Sequence, residues 1–383
     1  IYYCRKLKQI TMRTIIFTLL LSISVSTLLA QDFYLNANGV TCMCPDATFG
    51  DTGVVNGITY TKRTREQITE ANAATTCTSG ITNMFQLFSD ENATSFNQDI
   101  SSWDVSIVID MGFMFFNAFA FNQDISSWNV SKVINMGGMF FDATSFNQPI
   151  GGWDVSNVNE MGQMFHTSGF NQDIGDWDVS NVTNMAGMFK ENDSFNQNIG
   201  SWDVSSVTGM RSIFRSTINF NQDLSSWDVS SVTNMELMFF KTALSTENYD
   251  NILIGWAALE GKEEDVTLGA QASNYCLGAA ARATMEQLLN WTFNDAGLDC
   301  NGLSTEDYLN SESITIFPNP TNDFLMINGI ENPVNISIYN LLGAKVIAKS
   351  NTDKIDVSEL SKGVYIINIS DGVSQTNKKF VKN

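Results

Sequence analysis

Between residues 81 and 240 the apolar positions keep a fixed beat. The phrase F-N-Q-D-I-S-S-W-D-V-S-x-V-x-x-M-x-x-M-F starts at Phe96 and returns in near-copies, and its tryptophans, Trp103, Trp128, Trp153, Trp177, Trp202 and Trp227, stand 25, 25, 24, 25 and 25 residues apart. A period in the range of roughly 20 to 50 residues signals stacked repeats, because no single unit can bury its own apolar side chains. Within the first unit, Ile100, Trp103 and Val105 predict a short strand with inward residues. Ser106 is placed as an N-cap, and Val108, Met111, Met114 and Phe115 follow at the three- and four-residue spacing of one helical face. The residue missing from the 24-residue interval falls between Phe165 and Phe170, in the predicted return loop. Ile81, Met84, Leu87 and Phe88 match the helical half of a unit, so the array begins with a half-coil. Asn97, Asn122, Asn147, Asn171, Asn196 and Asn221 recur in all six coils and predict an amide ladder that satisfies turn backbone.

The spacing of Ile100, Trp103 and Val105 also follows L-x-x-L-x-L, the way a leucine-rich-repeat strand places its inward side chains. The expected architecture is therefore an α/β repeat solenoid, leucine-rich-repeat-like, with about six and a half coils of 25 residues. Beyond Phe240 the phrase stops, and "LSTENYDNILIGWAALEG", "VTLGA", "GAAARATMEQLLN" and "WTFNDAGLDC" predict helix, strand, helix, strand. The boundaries that follow are a signal peptide at 12–30, an N-terminal cap at 31–80, repeats at 81–243, a C-terminal cap at 244–303 and a linker at 304–313. From 314 to 383, alternation in Ile314 and Ile316, in Ile336 and Ile338, and in Tyr365, Ile367 and Ile369 predicts a small all-β, immunoglobulin-like sandwich.

The repeated phrase resembles the BspA-like leucine-rich-repeat surface proteins, a class also found among mycoplasma-type surface lipoproteins. That resemblance implies a non-enzymatic surface protein, with adhesion among the activities of some members. The stretches "ITIFPNPTNDFLMI", "VNISIYNLLGAKV", "IDVSELSKGVYIINI" and "KKFVKN" are similar to the type A C-terminal sorting domain of the type IX secretion system. This second resemblance implies that residues 314–383 engage the secretion machinery, and that the body is attached to the outer surface or released.

Targeting agrees with export. Met12-Arg13, the apolar run Ile15–Leu21 and the small residue Ala30 read as a secretory signal peptide with its start at Met12. No later stretch approaches the roughly 20 apolar residues of a membrane span. In an oxidising compartment Cys276 is expected to pair with Cys300, and Cys77 with Cys44. Cys42 is left as a free thiol or an alternative partner. Residues 31–313 hold 10 Lys/Arg against 35 Asp/Glu, whereas 314–383 hold 7 against 6. So acidic a body argues against nucleic acid and anionic membranes as partners.

Candidate chemistry is sparse. His166 is the one histidine and no nucleophile motif accompanies it, so no catalytic residue is assigned and a secreted hydrolase is the least favoured reading. The position after each tryptophan carries Asp104, Asn129, Asp154, Asp178, Asp203 and Asp228. These either accept hydrogen bonds from their own turns or, at Asp154, Asp178, Asp203 and Asp228, hold Ca²⁺, which seeks several carboxylate and carbonyl oxygens. No other cofactor is expected. Recognition is expected where coils differ, with Gly152, Asp154, Asp176 and Asp178 as the partner-binding residues on an exposed face. The partner is an extracellular protein or, in the alternative, a surface glycan bound with Ca²⁺.

Overall fold

The computed structural model describes residues 32–89, 93–300, 314–328, 335–340, 344–350, 352–370 and 375–383; the expected signal peptide and the linker 304–313 lie outside them. The chain divides into two compact units, one up to Asp178 and one from Val179.

The first unit opens with a cap. Strands β1 (Tyr34–Leu35) and β2 (Cys42–Met43) pair antiparallel, and β3 (Thr52–Val55) and β4 (Ile58–Lys62) form a hairpin. Its two-residue turn is Asn56-Gly57, both at positive φ, the backbone twist such hairpins favour. Strand β5 (Thr76–Cys77) then runs parallel to β4. Phe33, Cys42, Cys44, Val55, Tyr60 and Cys77 pack into one small core, and a disulfide joins Cys44 to Cys77. Buried Lys62 offers its ammonium to the carbonyls of Cys44, Pro45 and Ala47 at 2.8, 3.0 and 2.8 Å, so its charge is fully solvated by backbone. Cys42 stays an unpaired, buried thiol. Burial, and next the Asp104 carboxylate, push it up to about 11.

The repeats do not form the expected α/β leucine-rich-repeat solenoid. Among the described residues the repeats contain no α-helix and no extended strand; the α-helices, Thr246–Ala257 and Ala279–Leu289, lie beyond them, and the sheets are small ones near the ends. Where a strand was expected each coil turns instead, the Trp103 N–H closing on the Ile100 carbonyl, and its single bridged residue, as in Asn83–Asp110–Asn135–Glu160 of the first unit and Asn184–Gly209–Asn234 of the second, falls in the half expected to be helical. In place of a helix it makes a run of turns. The N–H groups of Met111, Phe113, Phe115 and Asn117 each donate to the next coil, to the carbonyls of Asn135, Gly137, Met139 and Phe141, all at 2.9 Å. The intervening Met114, Phe116 and Ala118 close turns on Met111, Phe113 and Phe115.

The reason is a left-handed residue where a helix would need a right-handed one. Phe113, Gly138, Gln163, Gly187, Ser212 and Leu237 all have φ near +60°, and so do Asn117, Asp142, Thr167, Glu191, Ser216 and Lys241 four residues later. A right-handed helix cannot absorb such residues, and those that are not glycine cost about 1–2 kcal/mol each in the left-handed conformation. Successive turns put residues three apart on the same side, as a helix does, so the Met and Phe spacing alone does not separate the two.

Burial follows the inward pattern. Ile100, Trp103, Val105, Val108, Met111, Met114 and Phe115 are all at most 1% exposed. Neighbouring coils meet ring on ring: Trp103 lies 6.3 Å from Trp128 and 4° from parallel, and Phe115, Phe140 and Phe165 succeed one another at 5.6 and 5.7 Å. In the second unit Trp202 and Trp227 repeat the arrangement at 6.4 Å.

The second unit ends its coils with helix, strand, helix, strand. Ser245 caps the first helix by accepting from the Asn248 N–H. That helix takes the place of a further phrase: Asn248 donates to Asn221 Oδ1 at 2.9 Å and the Trp256 indole N–H to the Leu224 carbonyl at 3.0 Å. Strand β6 (Thr267–Tyr275) continues the ladder, bridged at Leu268 to Met235, and β7 (Thr292–Leu298) adds a parallel neighbour. Gly269 is required there, since a Cβ would sit 2.2 Å from the Leu237 nitrogen. Asp250, buried, accepts from the N–H groups of Cys276, Leu277 and Gly278 at 2.7–2.8 Å, and Cys276 bonds to Cys300.

From Ile314 onward the unit is all β. The sheet β11 (Lys345–Ser350), β10 (Asn335–Asn340), β13 (Gly363–Ser370), β14 (Gln375–Lys382) and the sheet β12 (Lys354–Asp356), β9 (Phe324–Asn328), β8 (Thr315–Phe317) share a core that includes Leu325, Ile338, Ile355, Ile367 and Phe380.

Candidate interaction surface

Most polar side chains of the phrase are occupied by the fold. Asn97 Oδ1 accepts from the Asn122 N–H at 3.0 Å and from Gln123 Nε2 at 2.9 Å, and Asn122 and Asn147 do the same for the coils after them. Each indole N–H reaches back one coil: Trp128 to the Ile100 carbonyl, Trp153 to Ile125, Trp177 to Ile150. The tryptophans are interior residues and do not present a stacking platform.

The row after the tryptophans begins covered and then opens. Asp104 is buried under the cap, where Ser79 Oγ donates to its Oδ2 at 2.6 Å. Asn129, Asp154 and Asp178 of the same unit are exposed. Asp154 Oδ1 accepts from Ser156 Oγ at 2.6 Å and from the Ser156 N–H at 3.2 Å, and these bonds, the side-chain one foremost, hold its carboxyl below the usual range. Asp203 of the second unit is held the same way by Ser205, and Asp228 accepts from the Ser230 N–H. Each carboxylate thus stabilises its own turn. Among the described residues no group of three or more His, Cys, Asp or Glu is placed to hold a metal ion. Asp154, Asp178, Asp203 and Asp228 supply one carboxylate per coil.

The residues expected to meet a partner lie in two adjacent coils. Gly152, Asp154, Asp176 and Asp178 are all exposed, and a Cβ built on Gly152 meets nothing within 4 Å. His166 is buried, stacked on Phe141 with centroids 4.1 Å apart, and its Nδ1 shares a hydrogen bond with Thr167 Oγ1.

A further outward feature is apolar. Ile107, Ile109 and Ile134 are 45%, 48% and 42% exposed, and Phe119 is 43% exposed. Half-buried Phe85, Phe113, Phe116 and Phe141 touch in succession, at 6.1, 5.9 and 5.1 Å between centroids. The signal for it was departure from the period: where these coils carry Ile109 and Ile134, later ones carry Asn159, Thr183, Thr208 and Thr233.

Residues 59–169 and 153–252 each match the family model described as "Mycoplasma protein of unknown function, DUF285", and together the two matches span just over half of the chain. Residues 315–383 match the model of a secretion system C-terminal sorting domain. That domain marks the chain for type IX export, to the cell surface or beyond it, and for contact with the secretion machinery. Among the described residues no helix is long and apolar enough to cross a membrane. No curated protein matches the chain.

Proposed function

The chain belongs to the family described as Mycoplasma protein of unknown function, and from that membership, its sorting domain and its exposed rows we propose that it is a non-catalytic binding protein, displayed on or released from the cell, whose repeats hold an extracellular polypeptide in adhesion. One observation carries this reading. The side chains fixed from coil to coil are consumed by stacking and turn hydrogen bonds, whereas Gly152 and Asp176 stand at a position that changes from coil to coil, and they and the turn carboxylates Asp154 and Asp178 face solvent and are not needed to fill the core. Extended surfaces of this kind are where repeat proteins meet partners.

The test is retention of partners by the secreted chain, beside a variant carrying Gly152→Arg, Asp154→Arg, Asp176→Arg and Asp178→Arg. A partner held by the wild type and lost by an equally stable variant supports the reading. Retention of the same partners by both places recognition elsewhere, and release of a chemically altered substrate would make the protein an enzyme.

A further inference from the structure

The outward apolar residues of the first coils are not explained by the fold. Every coil has a position equivalent to Ile109, solvent-facing in each, and in the later coils it is Asn or Thr. The position equivalent to Ile107 is Lys132, Asn157, Asn181, Ser206 and Ser231 in the coils that follow. Core packing therefore does not ask for isoleucine there, and clustered exposed apolar side chains mark a surface that something covers.

Charge says what covers it. Residues 81–178 contain twelve Asp/Glu and a single basic residue, Lys132. Asp110 stands between Ile109 and Phe113 and is partly exposed, its Oδ1 accepting from the Gly112 N–H and from Asn135 Nδ2; Asp142 follows Phe141. The second unit shows how the same repeat position is satisfied when cations are at hand. There Phe240, the counterpart of Phe116 and Phe141, lies beneath Arg215 and Lys241, whose charges are 5.8 and 5.3 Å from its centroid. Rings attract cations placed over their faces. The coils around Phe113, Phe116 and Phe141 hold almost no cation of their own.

We propose that Ile107, Ile109, Phe113, Phe116, Phe119 and Ile134 form the docking surface for a cationic polypeptide segment that carries large apolar side chains. The isoleucines and rings receive its apolar residues, and its lysines or arginines reach the ring faces and the carboxylates of Asp110 and Asp142. This rests on the repeats being a binding surface, but it turns on the apolar side chains of the first coils rather than on the row of Asp154 and Asp178.

Fluorescence anisotropy on the secreted chain tests it with three synthetic peptides of equal length: alternating Lys and Leu, alternating Lys and Ser, and alternating Glu and Leu. The Lys/Leu peptide is expected to bind at least about tenfold more tightly than either control, a difference that one good anchor supplies. The triple change Ile107→Asn, Ile109→Thr, Ile134→Thr inserts residues that later coils tolerate at these places. It should leave the melting temperature unchanged and remove that preference, whereas Ser206→Asn, at an exposed position of a later coil, should leave it intact. Equal binding of the Lys/Leu and Lys/Ser peptides, or no effect of the triple change, overturns the proposal. So does concentration-dependent dimerisation in sedimentation that the triple change abolishes, since a second copy would then be the occupant. Failure here with partner retention still sensitive to the Gly152 and Asp row leaves the proposed function standing and removes this face from it.

Discussion

The indole of Trp128 is fixed by two neighbours at once. Its ring faces Trp103 at 6.3 Å, and its N–H donates at 3.1 Å to the Ile100 carbonyl, which also accepts from the Trp103 N–H at 3.1 Å. Trp128→Ala is expected to destabilise the first unit by about 3–5 kcal/mol, as other large-to-small core changes do. Trp128→Phe keeps much of the packing and removes one of the two hydrogen bonds at that carbonyl, so its cost should fall near about 1 kcal/mol. Urea denaturation followed by intrinsic fluorescence measures both, and an alanine variant within 1 kcal/mol of wild type would contradict an interior indole. Asp154 makes a complementary case at the surface. The Ser156 hydroxyl, then its N–H, lowers the folded pKa of this carboxyl. A lowered folded pKa adds stability above the unfolded value, and that contribution vanishes as pH falls through the folded value. Ser156→Ala should bring the Asp154 titration, followed by carbon NMR, back up toward an ordinary carboxylate, and should weaken the acid-side loss of stability; an unmoved titration would show that the hydroxyl does not hold it.

At the scale of one coil, the inward list was legible because stacking forces it: Ile100, Trp103, Val105, Met111 and Phe115 recur and are buried. The conformation between them was not. The same three-residue interval serves a helix and a chain of turns, and what separates them is a left-handed residue, filled by Phe113, Gln163, Ser212 and Leu237 as readily as by Gly138 and Gly187. With glycine at every one of those places the turn would have been readable. The order helix, strand, helix, strand after residue 244 was readable, since its periodicities are long and its cap residue, Ser245, is conventional. Of the surface, the exposure of Gly152 and Asp176 could be read from variability, whereas the outward isoleucines look like core residues until their places in the coil are known. The asparagine ladder is the element-scale device open to test. Asn147 Oδ1 accepts from the Asn171 N–H at 2.9 Å and from Gln172 Nε2 at 3.1 Å. Asn147→Ala removes the acceptor and should cost about 1 kcal/mol, while Asn147→Asp retains it and should cost less. Chemical denaturation of the two side by side decides, and equal losses would mean that the amide's donors matter more than its oxygen.

Over the whole molecule, the sequence carries two bodies of different electrical character. Residues 31–313 hold 35 acidic against 10 basic side chains, and residues 314–383 hold 6 against 7. The terminal body also has a core of its own, from Ile314 to Phe380, closed between its two sheets. Such a module carries information for export without contributing to the packing of the coils. Removing residues 315–383 is therefore expected to leave the thermal transition of the remaining chain in place, because the stacked tryptophans, the ladder of turns and both disulfides are intact without it. The same truncation should stop the protein on the inner side of the outer membrane, since the sorting domain is the part addressed to the secretion machinery. Fractionation of a bacterium that has the type IX pathway, beside a melting curve of the truncated protein, separates the two effects. Accumulation in the periplasm with an unchanged transition is the expected result. A truncated chain still displayed on the surface would remove the export role from these residues, and a lowered transition would show that the coils depend on them for stability.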